Sequence, residues 1–396
     1  MHGPLQGVRI LDFTHLLPGQ ICAGVLSDLG AEILHIESPV KSSLAHKLPP
    51  VINGESLYFW SLHKRKSSLK VDLKKEDGLL IVKNLLKDSD ILLENFRPGV
   101  MKRLGLSYED CRIVNPALVY CSISGYGQDS ESRHKAAHDL NLISETGLLS
   151  LNRRGNEKPV LPSIPISDYM SGFLSVISVM GALLERDKNG VGTHLDINMF
   201  DSAMSSLNIL STMALYTSKK PEEGGFAYPK ELPNYNIYEC KDGRFLSVAS
   251  LEPQFLKEFL GLIERMDLLD SNLGEEDLTL EIEKTIRSRE LSEWRSIFAD
   301  SNCCVSPVNT IMEALSEFPL DKKGMLHNFI HPSLGSIPQV SFALDKNLKD
   351  RTRDNFSVDQ SDNAESRLLN CGYTTQKIDQ LGKEGIISLY RNHREI

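Results

Sequence analysis

The first 124 residues alternate between short β-branched runs and stretches with helical period, and no other feature limits the possible folds of the chain so strongly. Residues 8–13 form a mostly apolar run. Pro18 follows, then apolar positions at helical spacing (Ile21, Val25, Leu26, Leu29), then Gly30 and a second run over residues 31–36. Proline in a first turn and glycine just past a last one are ordinary helix boundaries, so the segment reads strand, helix, strand. The pattern continues with an amphipathic helix over 78–86 and strands at 91–95 and 118–124. Strands separated by helices pair in parallel, which predicts an α/β fold built on a parallel sheet.

A second α/β pattern follows: a long apolar helix over about 171–185, a strand at 194–198 and a helix from Asp201. The turn-rich stretch 217–233 reads as a linker into a smaller α+β domain over 234–330. That domain opens with a predicted hairpin, because runs at 237–240 and 244–249 flank the turn residues Lys241, Asp242 and Gly243. Charge-rich helical sequence then extends to about residue 299, and residues 340–396 are polar without clear periodicity.

Charge and cysteine usage narrow the class of partner. Lys plus Arg number 44 against 53 Asp plus Glu, a net charge of −9, so the surface as a whole repels a polyanion and nucleic acid is not expected. The seven cysteines are odd in number and show no CxxC or other metal-ligand spacing, which fits a reducing compartment and no metal site. The first residues, MHGPLQGVRI, lack the basic segment and long apolar core of a secretory leader, and the apolar stretch 173–184 is too short to span a bilayer. A cytoplasmic protein without a membrane partner is the expectation.

Neither GxGxxG nor GxxxxGK[ST] occurs, and there is no GxSxG, HExxH or EF-hand loop. Local charge says more. Residues 62–75 carry Lys64, Arg65, Lys66, Lys70, Lys74 and Lys75 against Asp72 alone, and NFRPGVMKRLG adds Arg97, Lys102 and Arg103. Such compact islands in an acidic chain suit a small phosphorylated ligand; equally, they suit a solvated helix edge and a turn.

Here the sequence resembles a known family. GPLQGVRILDFTHLLPGQICAGVLSDLGAEILHIESP, SSLKVDLKKEDG, ILLENFRPGVMKRLG, YCSISGYGQ, AAHDLNLISETG, NIYECKDGRFLSVASLEPQF and ADSNCCVSPV are similar, in order and spacing, to the class III CoA-transferase superfamily, and within it to the α-methylacyl-CoA racemase branch, over about residues 3–340. The resemblance implies a Rossmann-like large domain with a parallel sheet, a smaller α+β domain, and an interlocked homodimer. It also implies that residues 331–396 return to complete the large domain begun by 1–216. An acyl-CoA thioester would be the substrate, with no metal or separate cofactor. Its nucleotide would lie against Val71, Leu73, Lys74, Asn95, Phe96 and Arg97, with Arg103 on a phosphate.

The same resemblance gives roles to three further residues. His138 in the HDxN segment and Asp168 match the two acid/base groups, and Glu252 in EPQF matches a glutamate that orients the histidine. Asp139 and Tyr235 match pocket groups. Inverting a stereocentre beside a thioester carbonyl needs a base on one face of the carbon and an acid on the other. Read from the residues alone, Asp168 also suits the N-cap of a helix beginning near Tyr169, Glu252 suits a cap before Pro253, and His138 an ordinary imidazole. Leu142 and Ile164 stand where racemases usually carry Tyr and Asn, which bears on the acyl pocket. The rival within the superfamily is a CoA-transferase moving CoA between carboxylic acids through an aspartyl–CoA anhydride at Asp168. A catalytically silent CoA-binding paralogue is the third reading.

Overall fold

The computed structural model describes residues 2–40, 43–63, 65–153, 157–219, 232–331, 333–350, 355–357, 361–391 and 394–395. The chain forms two compact units, one made of residues 1–208 and 320–396 and the other of 209–319. The divisions fall at 208 and 319 and not at 216 and 330, and most of the expected 217–233 linker lies outside the described residues.

The first unit is built on six parallel strands: β1 (Arg9–Asp12), β2 (Glu32–Glu37), β3 (Lys66–Val71), β4 (Ile91–Glu94), β5 (Val119–Ser124) and β6 (His194–Asn198). They lie in the order β3-β2-β1-β4-β5-β6, the dinucleotide-fold arrangement in which the winding reverses between β1 and β4. The strands alternate their apolar side chains between two cores. Leu11, Leu34 and Leu69 face one side, where helix α2 (Glu76–Lys87) buries Ile81, Val82 and Leu85. Ile10, Ile33, Leu93 and Cys121 face the other, against α1 (Leu17–Asp28) and the later helix α4 (Ile166–Asn189). The short helix α3 (Asp139–Glu145) lies between β5 and α4 in the chain.

The C-terminal residues, unreadable in the sequence, complete this unit. Strand β7 (Ile387–Arg391) adds antiparallel to β3, and the helices Ser361–Asn370 and Thr375–Lys383 place Leu368, Ile378 and Leu381 in the same core as Leu69. The apolar stretch 173–184 is embedded in the 24-residue α4, which is long and apolar enough to cross a membrane but is partly buried against α1 and the sheet.

In the second unit the expected hairpin forms from Tyr235–Glu239 and Phe245–Ala249, with Gly243 at φ +74°, and Val305–Pro307 adds a third strand. Helices Pro253–Leu262, Glu275–Ile286 and Leu291–Phe298 close over Phe259, Ile286 and Trp294.

Candidate active site

His138 is placed by backbone contacts upstream and downstream of it. Strand β5 ends at Ser124, and a Cβ on the next residue, Gly125, would stand 2.2 Å from the Ala137 Cβ; only glycine lets the 137–138 segment pass over the strand end. His138 is extended, at the N-cap of α3, and its N–H donates to Asn141 Oδ1 at 2.7 Å. Asn141 Nδ2 in turn donates to the Tyr126 hydroxyl at 3.0 Å, and that hydroxyl donates to Glu145. The asparagine of HDxN therefore fixes the backbone of the histidine, whose ring is left exposed.

Asp168 is not an N-cap. Helix α4 begins three residues before Tyr169, with Pro165 as its N-cap, and Asp168 is its third residue. The capping is done by Asp139, whose Oδ1 accepts from the Ser167 N–H at 2.6 Å and from its Oγ at 2.7 Å. This pair ties the residue after His138 to the residue before Asp168. Partial burial, and then the Asp139 charge, push the Asp168 carboxyl up to about 7. Tyr58 is close enough that its hydroxyl is raised by burial and then by the Asp168 charge. A Cβ on Gly172 would stand 2.8 Å from Ile21, so glycine allows the first turns of α4 to lie directly on α1.

These groups share one cleft of about 270 Å³ at the carboxyl ends of β1, β4 and β5, where α/β sheets bind ligands. Its lining includes His138 and Asp168, the expected Asn95, Phe96 and Arg97, and the N-terminus of α1 at Leu16, Leu17 and Pro18. It also includes Tyr58, Arg133 and Lys135, which sequence reasoning missed. Arg133 and Lys135 form a basic pair just upstream of HDxN that the count of charged islands passed over; Tyr58 carries no chemical signature.

The remaining expected residues lie elsewhere. Val71 is 1% exposed and belongs to the core, so only its backbone is available to a ligand. Leu73 is half-buried against that core, while Lys74 and Arg103 are exposed after β3 and on the short helix Val100–Arg103. Two members of the basic island are not ligand groups at all. Lys66 Nζ is buried, 3.3 Å from Asp12 Oδ2 and 2.6 Å from Gln20 Oε1, and Arg65 is buried beside Asp28 and the Asp350 carbonyl. Lys64 lies outside the described residues. Tyr235 and Glu252 belong to the second unit, the latter exposed at the N-cap of Pro253–Leu262.

A Rossmann-ordered sheet with His138 and Asp168 lining one cleft at its strand ends defines a class, an α/β protein with its ligand cleft at the strand ends, and comparison with known proteins supplies the family. A family model described as CoA-transferase family III matches residues 5–354, and the chain belongs to that family. It is 32% identical over 345 residues to succinyl-CoA:glutarate CoA-transferase of Mus musculus, covering 84% of this chain and 78% of that protein. It is also 29% identical over 389 residues to α-methylacyl-CoA racemase of Homo sapiens, covering 97% of each. A CAIB/BAIF family protein from Brucella suis shares the fold with a TM-score of 0.81 at 22% identity, over 93% of this chain and all of that one.

Proposed function

We propose that the protein inverts the α-carbon of a 2-methylacyl-CoA thioester by two-base proton transfer, needing no cofactor beyond the CoA of its substrate. One of His138 and Asp168 removes the α-proton, the carbanion delocalises onto the thioester oxygen, and the other group returns a proton to the opposite face. The observation that supports this reading is that both side chains line one cleft. A carboxyl at about 7 is populated as acid and as base near neutrality, which the reversible reaction requires. Asp168 stands in the first turn of α4, whose positive dipole end would favour enolate charge developing beside it. Asn95, Phe96, Arg97 and Arg103 would hold the CoA, and the working form would be a homodimer.

The test is incubation of a branched acyl-CoA panel in D₂O. One α-deuterium and loss of stereochemical purity are expected, and Asp168→Ala or His138→Ala should each slow exchange by about 10²–10⁴-fold. Absence of α-deuterium across the panel would remove the reading.

A second reading is favoured by Arg133 and Lys135, two cations on the same cleft that suit an acceptor carboxylate. In a CoA-transferase, Asp168 would attack the thioester carbonyl and release the CoA thiolate. The thiolate would then attack the resulting anhydride at the aspartyl carbon and free the first acid; the acceptor carboxylate would attack the aspartyl–CoA thioester so formed, and the thiolate released would attack the new anhydride at the acceptor's carbonyl, making its CoA ester and freeing Asp168. That reaction predicts CoA exchange between acids, a trappable acyl-aspartate and near-normal activity in His138→Ala; equal loss in both variants without trapped intermediate excludes it.

A further inference from the structure

Four of the eleven histidines crowd together beside β1, β2 and the start of β3. His15 follows β1, His35 lies in β2, His46 in the short turn Leu44–Lys47 and His63 just before β3. His35 is 2% exposed, and its Nδ1 faces Asp12 Oδ2 at 3.3 Å. With Nδ1–H donated to that carboxylate, the Nε2 lone pair points toward Glu37 Oε1 at 3.8 Å, too long for a hydrogen bond. Two electron-rich atoms face one another across a gap that only a proton or a cation makes favourable. A third donor is at hand. His15, His35 and Glu37 each offer a ligand atom, all within 4.8 Å of one another, and the buried His15 Nδ1 has no hydrogen-bond partner.

We infer that His15, His35 and Glu37 bind a divalent transition-metal ion of the Zn²⁺ class. Two imidazoles and a carboxylate suit Zn²⁺ and leave a fourth position to water, whereas Ca²⁺ and Mg²⁺ prefer all-oxygen sets. Asp12 on the far nitrogen of His35 fixes its tautomer as an outer-shell carboxylate does, and His46 Nε2 donates to Glu37 Oε1 at 2.8 Å to orient the third ligand. Asp12 and Lys66 cancel, which leaves the Glu37 charge to meet the dication. The ion would brace the cleft from behind. The His15 N–H donates to Asn95 Oδ1 at 3.0 Å and its ring packs edge-on against Phe96 at 5.3 Å, and Asn95 and Phe96 line the cleft. It takes no part in the proton transfer proposed above, and its test does not read activity.

Full-length protein, stripped with chelator, is loaded with Zn²⁺ and passed over a desalting column, then examined by metal analysis and X-ray absorption. One zinc per chain with two imidazole ligands is expected. His15→Ala should weaken binding at least about 10-fold with an unchanged circular dichroism spectrum, whereas replacing the exposed His134 by alanine should leave it as in the wild type. No retained zinc, a shell without imidazole, or a folded His15→Ala protein of wild-type affinity overturns the inference. Should His15→Ala fail to fold, the imidazole count in the wild type decides alone.

Discussion

Asp139 has two effects on its neighbours that substitution can separate. It accepts two hydrogen bonds from Ser167 at the start of α4, and its charge helps to raise Asp168. Asp139→Asn keeps an acceptor but removes the charge, so the acidic limb of the pH–rate profile should move to lower pH with little loss of stability. Asp139→Ala removes the cap as well and should cost a further ~0.5–2 kcal/mol, read by urea denaturation. Asp168 itself carries a stability consequence of definite sign. Its folded value of about 7 lies above the ordinary carboxyl value near 4, so between them the folded state binds more protons than the unfolded one, and stability falls as pH rises through that window. Asp168→Asn should therefore melt with the wild type at pH 4 and above it at pH 8, while losing activity; equal melting temperatures at pH 8 would mean that the carboxyl is not raised. HDxN was legible as a chemical pair, but the Asn141 and Asp139 hydrogen bonds that hold it were not, because they depend on how two loops meet.

The elements explain what could be read and what could not. The strands flanking α1 were legible because both are apolar and bounded by Pro18 and Gly30. Strand β3 was read as a charged island, since its Lys66 and the preceding Arg65 look solvated in sequence and are in fact buried against Asp12 and Asp28. Burial works to raise the Asp12 carboxyl, but the Lys66 ammonium and the His35 and Thr14 hydrogen bonds outweigh it and hold Asp12 far below the usual range. Lys66→Met leaves a buried charge unpaired and should destabilise by ~3–5 kcal/mol at pH 7. The difference should shrink in acid, where protonation of Asp12 removes that charge; a constant difference down to low pH would refute the pairing. The start of α4 was misread for another reason. Its first turn, Ile166, Ser167 and Asp168, follows a proline-bounded loop and lies ahead of the apolar periodicity that marks the rest of the helix in sequence. Gly172→Ala would place its Cβ 2.8 Å from Ile21, push the Asp168 turn off α1, and should cost ~1–3 kcal/mol together with a fall in kcat.

At the scale of the whole molecule, the reversal of winding between β1 and β4 opens the cleft, and the C-terminal strand β7 extends the sheet on the far side of β3. Among the described residues, the helices Leu148–Leu151, Asn208–Thr217 and Ile311–Glu317 bury none of their residues, and the second is the longest. In that helix Ile209, Leu215 and Tyr216 are 56%, 83% and 90% exposed. Ten residues are too few to hold a helix by propensity, and large apolar side chains in water contribute nothing to it. Covering by a second copy of the chain is the simplest resolution and agrees with the proposed homodimer. Light scattering after size exclusion should then give twice the chain mass on dilution, and Leu215→Lys with Tyr216→Lys should shift it toward the monomer. A wild-type monomer at every concentration would mean that this face is covered by something other than a second copy, and would withdraw the homodimer without touching the chemistry assigned to His138 and Asp168.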